Sequence, residues 1–457
     1  MEICVIIIND LLFNYYKTMK KVMILAVAIS SALSASAGIY KFKMNGAQAK
    51  ANVMLNWSDN DKWTTLNATD GEAKLDSSAF KPQYVEVVFG RSMRGTMYLD
   101  PKSDLAVTVD METGKAECSG ALADINRYLL NTEFADISRD QYGLEETAFL
   151  KVCDSVYAAN MALMEKASLP ADFKKKEELR LKYMSYMTLP MYPDYMYYKM
   201  NKQITPSAKF FTKLDELTKF NSEWLECPEY CQFLLSAQSC YTSNMEGDDE
   251  AKKFMDWTDK VNDAKVKEYI VDSYVMSAVS SQGIDGNEAL IEYFKKNVTD
   301  AEKTSKLNEL CGKWEALRAG KASPTFTGTD INGKQVTLES LRGKYIYIDV
   351  WATWCGPCRG ELPHLKKLEE AYKDKDIHFV SLSCDQNKEA WEKMVTKDQL
   401  QGIQLHVGPN ASFLDEYMIN GIPRFIILDR EGKIVKANAP RPSNPETAKL
   451  FDELLKK

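Results

Sequence analysis

Two cysteines separated by two residues, in Trp354-Cys355-Gly356-Pro357-Cys358-Arg359, carry the clearest chemistry in this chain. Thiol–disulfide exchange needs a thiolate to attack a disulfide sulfur and a second thiol to release the mixed disulfide that forms. The spacing of Cys355 and Cys358 provides for both. Tyr345-Ile346-Tyr347-Ile348-Asp349-Val350-Trp351 reads as a strand running straight into the motif, and Leu362, Leu365 and Leu368 recur at spacing three after it. That pattern places Cys355 at the start of a helix. There, unsatisfied N–H groups and the positive end of the helix dipole favour an anion and lower the thiol pKa. A Cys-x-x-Cys pair could also be half of a zinc site, which requires a second ligand pair. Cys227 and Cys231, four apart in a helical stretch, read instead as packing or a structural cross-link.

Asp349 lies six residues before Cys355 in an otherwise apolar strand. Burial raises a carboxyl pKa, which suits a proton acceptor near the Cys358 thiol. The alternative is a structural carboxylate with a basic partner. Cys153 and Cys311 sit on apolar helical stripes and read as inert core thiols. Cys384 ends a strand on the side where parallel sheets place their sites, and reads as a packed thiol before a third redox group. The chain holds three histidines, His364, His378 and His406, which leaves little material for a multi-histidine metal centre or imidazole base catalysis. Lys plus Arg is 58 against 65 Asp plus Glu, a net charge of −7. Nothing in that balance suits binding through nucleic-acid phosphates.

The elements around the motif divide the 457 residues into a multidomain α+β chain. Residues 38–118 show short alternating runs, such as Tyr84-Val85-Glu86-Val87-Val88-Phe89, between turn residues, and read as a β-rich domain. Residues 119–318 turn to helical spacing, as in Phe149, Cys153, Val156, Asn160 and Met164. Thr299-Asp300-Ala301-Glu302 reads as the capping box of a last helix in that domain. The Met and Tyr cluster from Tyr183 to Met200 reads as core. After the polar break Arg318–Pro324 comes an α/β pattern over 319–457. It holds a hairpin around Asn332-Gly333, strands at 345–352, 377–383 and 424–428, a helix at 359–373, and a strand through Ile434-Val435.

The N-terminus reads as an address. Met19-Lys20-Lys21 is a basic start, Val22 to Ala37 is apolar and small, and Ala35-Ser36-Ala37 ends it as a cleavage site would. Residues 1–37 are therefore expected to be a signal peptide whose translation starts at Met19. Its removal leaves 420 residues and nine cysteines in an oxidising compartment, the periplasm or cell envelope.

Trp354-Cys355-Gly356-Pro357-Cys358-Arg359 resembles the thioredoxin active site. The wider string Gly320-Lys321-Ala322-Ser323-Pro324-x-Phe326, Gly343-Lys344, Trp351-Ala352-Thr353 and Glu361-x-Pro363 resembles the TlpA/ResA branch of extracytoplasmic thiol–disulfide oxidoreductases, over about residues 320–457. The layout ahead of it is similar to long TlpA-like proteins of Bacteroidetes. The resemblance implies a thioredoxin-like α/β fold and a redox-active Cys355–Cys358 disulfide. It places Asp349 at the family's buried acid, Glu361 at an active-site acid and Pro363 at the helix kink. Pro423, in Gly421-Ile422-Pro423-Arg424, matches the cis-proline that leaves the Ile422 backbone free to pair with a substrate strand. Trp354, Gly356, Pro357, Ile422 and Pro423 are then expected to meet substrate. Ile422 and Arg424 stand where many relatives carry small hydroxyl residues. The resemblance implies no cofactor and no metal. The implied partners are protein dithiols and disulfides, with a membrane thiol donor as the source of electrons. The Gly-Pro spacer implies a reductase.

Two other readings compete with it. In a peroxiredoxin-like peroxidase the attacking Cys follows Pro-x-x-x-Thr-x-x-Cys, whereas Thr353 is two residues before Cys355. In a binding protein, residues 38–318 would recruit a partner and the thioredoxin-like part would be accessory.

Overall fold

The computed structural model describes residues 39–45, 52–57, 62–69, 72–76, 80–90 and 93–456. The expected signal peptide, 1–37, lies outside them. The chain divides into two compact units, Met1–Glu246 and Gly247–Lys457.

The described strands of the first unit are β1 (Ile39–Asn45), β2 (Val53–Trp57), β3 (Lys62–Leu66), β4 (Glu72–Asp76), β5 (Gln83–Phe89), β6 (Met93–Leu99), β7 (Leu105–Asp110) and β8 (Ala116–Ser119). They form two sheets, ordered β4-β1-β7-β8 and β3-β2-β5-β6. β1 shows the period of two that a half-buried strand requires: Tyr40, Phe42 and Met44 are buried between exposed Lys41 and Lys43. Helices α1 (Ala123–Asn131), α2 (Glu146–Lys166), α3 (Ala171–Tyr186), α4 (Tyr192–Tyr198), α5 (Ala208–Leu217) and α6 (Pro228–Ser243) follow.

The expected boundary at 118/119 does not separate two cores. Ile125 and Leu129 of α1, Met164 of α2, and Phe173 and Leu181 of α3 join one apolar cluster with Tyr40, Phe42, Val87 and Leu105. A sheet with one apolar face must be covered, and these helices cover it. Asn126 fastens α1 to the edge strand β6, accepting from Tyr98 N–H at 2.9 Å and donating to Tyr98 C=O at 2.9 Å. Within α3, Arg180 pairs with Glu177 at 2.6 Å, and Tyr84 of β5 donates to Glu177 at 2.9 Å, all buried. The Met and Tyr cluster is core on one side only. Tyr183, Tyr186, Tyr192 and Met196 are buried, while Met191, Tyr197, Tyr198 and Met200 face solvent.

The second unit begins with α7 (Glu250–Thr258), α8 (Ala264–Gln282), α9 (Glu288–Asn297) and α10 (Ala301–Glu315). The expected helical domain is thus divided between the units, and the expected boundary at 318/319 falls inside this one. The polar break itself joins the sheet: Gly320 N–H donates to Ile434 C=O at 2.7 Å, and Ile434 N–H to Lys321 C=O at 2.8 Å. Amphipathic helices need a partner face whichever side of a polar stretch they lie on. The N-cap of α10 is Asp300, which accepts from Glu302 and Lys303 N–H groups. Thr299, the expected cap, instead donates to Glu268 at 3.1 Å.

The remaining strands are β9 (Thr327–Thr329), β10 (Gln335–Thr337), β11 (Tyr345–Trp351), β12 (Ile377–Ser383), β13 (Ile403–His406), β14 (Arg424–Leu428) and β15 (Ile434–Lys436). They form one sheet, ordered β10-β9-β13-β12-β11-β14-β15. Helices α11 (Gly356–Tyr372), α12 (Lys388–Lys397), α13 (Ser412–Glu416) and α14 (Pro445–Leu455) complete the thioredoxin-like fold. β11 is buried along its whole length, parallel to β12 and antiparallel to β14. A strand covered on both faces is read as a near-continuous apolar run, as this one is. α11 continues through Pro363.

Candidate active site

The sheet delivers the motif to one place. β11 ends at Trp351 and α11 begins at Gly356, so the intervening residues turn across the end of the sheet. Asp385, just past β12, holds that turn. Its carboxylate accepts from Thr353 N–H at 3.0 Å, from Thr353 Oγ1 at 2.7 Å and from Ser383 Oγ at 2.8 Å.

Cys355 is the N-cap of α11, and its sulfur accepts the Cys358 N–H at 3.1 Å. This is the cap position at which a side chain satisfies one of the helix's orphan donors. Pro357 stands in the first turn, where a missing N–H costs the helix nothing. Cys355 and Cys358 are joined as a disulfide, with Cα atoms 5.3 Å apart. Both are buried over an apolar floor of Trp351, Ala352, Trp391 and Val395, with Ile422 and Cys384 at its edge. Trp354, by contrast, is 70% exposed.

The Ile422–Pro423 peptide is cis. It brings the Ile422 carbonyl oxygen to 3.7 Å from Cys355 Sγ. Of the residues expected to meet substrate, Ile422 thus stands beside Cys355 Sγ, Trp354, Gly356 and Pro357 flank Cys355 in the chain, and Pro423 follows Ile422.

The acids behave differently from one another. Asp349 is 4% exposed and pairs across the sheet with Ser381 of β12, to which its side chain is hydrogen bonded. Burial, then the carboxylates of Glu369 and Glu361, push its pKa up to about 8. Burial also pushes Glu369, further along α11, to about 7. Glu361 is engaged by the loop before α14, accepting from Ser443 N–H at 2.9 Å and from Ser443 Oγ at 2.8 Å. Cys384 donates to the Trp351 carbonyl at 3.4 Å, and burial, then the Asp385 charge, raises its pKa. Cys227 and Cys231 are both free thiols, so the structural cross-link weighed for them is not formed.

Sequence reasoning passed over Asp385 and Ser443. Asp385 had a usable signal, because it follows the end of a parallel strand beside the one that carries the motif. Ser443 had none, being 82 residues from the acid it binds.

The Redoxin family profile matches residues 318–454. The thiol–disulfide oxidoreductase ResA of Bacillus cereus is 30% identical over 122 residues, covering 27% of this chain and 70% of that protein. ResA of Bacillus subtilis is 28% identical over 122 residues, covering 27% and 68%. Among solved structures, a Bacteroides vulgatus protein described as a thiol–disulfide oxidoreductase is 69% identical, covering 31% of this chain and 93% of that one, with a TM-score of 0.29. A thiol–disulfide oxidoreductase from Bacteroides fragilis is 30% identical, covering 29% and 100%, with a TM-score of 0.27. The ResA relatives, the Redoxin profile and the cysteine pair at the head of α11 identify an oxidoreductase: the chain belongs to the TlpA/ResA-like thiol–disulfide oxidoreductases of thioredoxin fold.

Proposed function

We propose that the protein is an extracytoplasmic reductase of protein disulfides, with Cys355 as nucleophile and Cys358 as resolving thiol. The observation that carries this reading is the placement of Cys355. Its sulfur caps α11, takes the Cys358 N–H and lies beside the Ile422 carbonyl. An N–H donor and a helix N-terminus both stabilise a thiolate at that atom.

In the dithiol form, Cys355 thiolate attacks one sulfur of a substrate disulfide. A mixed disulfide forms and the first substrate thiolate leaves, taking a proton from solvent. Cys358 gives its proton to ionised Asp349, whose raised pKa makes it a stronger base than an ordinary carboxylate and whose ionised fraction grows as pH nears 8. The Cys358 thiolate then attacks Cys355 Sγ and expels the second substrate thiolate, which is protonated as Asp349 gives its proton back. Two electrons have passed to the substrate, and the protein is left with its Cys355–Cys358 disulfide. A dithiol donor must reduce it again, and a membrane thiol carrier fits the compartment implied by residues 19–37. Glu361, with both oxygens on Ser443, acts as a positioning residue for the loop before α14.

Reduction of insulin by the full chain, with dithiothreitol as donor, tests the reading. The expected result is a rate well above dithiothreitol alone that disappears in Cys355→Ser. A wild-type rate no higher than that of dithiothreitol would sink it.

A further inference from the structure

Beside the cis-proline wall lies a cavity of about 820 Å³. Ile422, Pro423 and Arg424 line one side of it, Ser280 of α8 lies on another, and Arg441 and Ser443 close it. Its lining holds two arginines and several Ser and Asn side chains, and no acidic residue among those described. Arg424 is 6% exposed, and one of its terminal nitrogens is buried without a hydrogen-bond partner. Its guanidinium lies against an aromatic face, 5.6 Å from the Trp314 ring centroid. No ion pair with Arg424 or Arg441 occurs among the described residues. Glu361, close in the fold, holds Ser443 and leaves both arginines unanswered.

A guanidinium keeps its charge at any ordinary pH, and a buried one is costly unless an anion answers it. The Trp314 face offsets only part of that cost. Burial alone depresses the Arg424 pKa, in keeping with a cation that has no counter-charge. The same chain segment, 422–424, that meets Cys355 Sγ therefore also presents an unanswered cation to a polar cavity.

We infer that this cavity takes the carboxylate of an acidic side chain flanking the cysteine of a peptide substrate, with Arg424 as its buried partner and Arg441 at its rim. The inference rests on the thiol–disulfide reading of Cys355. It makes Arg424 a specificity residue: the substrate cysteine sits at Cys355, and a neighbouring Glu or Asp reaches the guanidinium, which suits planar pairing with a carboxylate.

The test uses the oxidised full chain and two short peptides, identical except for Glu or Gln beside an S-methylated cysteine, titrated by calorimetry. The Glu peptide should bind about tenfold tighter, the range expected for a charge-assisted hydrogen bond. That preference should fall toward unity in Arg424→Gln. Because Arg424 is buried, Arg441→Gln at the exposed rim is a second variant, expected to lose part of the preference. Equal affinity of the two peptides for the wild type would overturn the inference, as would an undiminished preference in both folded variants. The unmethylated peptides, each given as its disulfide to the dithiol form of the chain, report separately on turnover. If neither is reduced, the reductase reading fails, while the affinities still decide whether the cavity recognises a carboxylate.

Discussion

The amide N–H of Cys358 donates to Cys355 Sγ across 3.1 Å, so the backbone of the second cysteine holds the sulfur of the first. In the proposed exchange, the first turn of α11 thereby sets both the reactivity of Cys355 and the reach of Cys358.

Replacing the resolving thiol should leave the first attack intact and stop the second. Cys358→Ser is expected to accumulate mixed disulfides through Cys355 when expressed in its native compartment, visible on non-reducing gels and identifiable by mass spectrometry. Cys355→Ser should accumulate none. A Cys358→Ser protein without adducts would count heavily against the two-step exchange.

In the proposed exchange, Asp349 ties rate to pH. Its pKa of about 8 means that the fraction able to accept the Cys358 proton rises as pH climbs through that value. Resolution of a preformed mixed disulfide should accelerate over the same range. In Asp349→Asn that step should be slower and should lose the inflection near pH 8, while the initial attack changes less. Equal slowing of both steps, read by stopped flow, would remove the assigned role.

The same group ties stability to pH. The ordinary aspartate value is 3.8, and the folded value is about 8. Between them the native state keeps a proton that the unfolded chain has lost, so this contribution destabilises the fold as pH rises through the window. Urea unfolding of the oxidised protein at pH 5 and pH 9 should show Asp349→Asn gaining on the wild type at the higher pH. A gap that shrinks with pH would contradict the raised pKa.

In the first unit, Arg180 and Glu177 are buried together, 2.6 Å apart. Removing one partner leaves an uncompensated charge, so Arg180→Ala should cost about 3–5 kcal/mol of stability. Arg180→Met paired with Glu177→Gln should recover part of that loss, because only Glu229, 3.6 Å from the guanidinium in the wild type, then stays without its partner. Denaturant midpoints of the two variants decide it.

Trp354 is a large aromatic side chain left mostly in solvent. Trp354→Ala should change the unfolding midpoint little, since surface substitutions usually stay within about 0.5 kcal/mol. The rate with a protein disulfide substrate should fall several-fold, seen as a rise in KM. A lowered midpoint with unchanged KM would mean that the ring serves the fold and not the substrate.

Much of the second unit was legible because local signals and tertiary demand agree there. The apolar run ending at Trp351, the strands Ile377–Ser383 and Arg424–Leu428, and the hairpin around Gly333 form where their residues point. β13, α12 and α14 went unassigned, since short elements with mixed composition carry weak periodicity. The capping box was misplaced by one residue because Thr299 and Asp300 are both competent caps. The division of the helices between two units left no trace in spacing, because an amphipathic face does not say which surface will cover it.

The sequence by itself determined the chemistry: two cysteines at the head of a helix, a strand to carry them and an acid within that strand. Those are local facts, set by spacing and by the dipole of one helix. Only the tertiary structure decided what surrounds the sulfur. It brought Ile422 beside Cys355 from 67 residues away, put Asp385 under Thr353 and engaged Glu361 with Ser443. It also buried Arg424 beside the cis-proline, with no counter-charge among the described residues. Such pairings depend on which chain segments the sheet order makes neighbours, and no period along the chain encodes that.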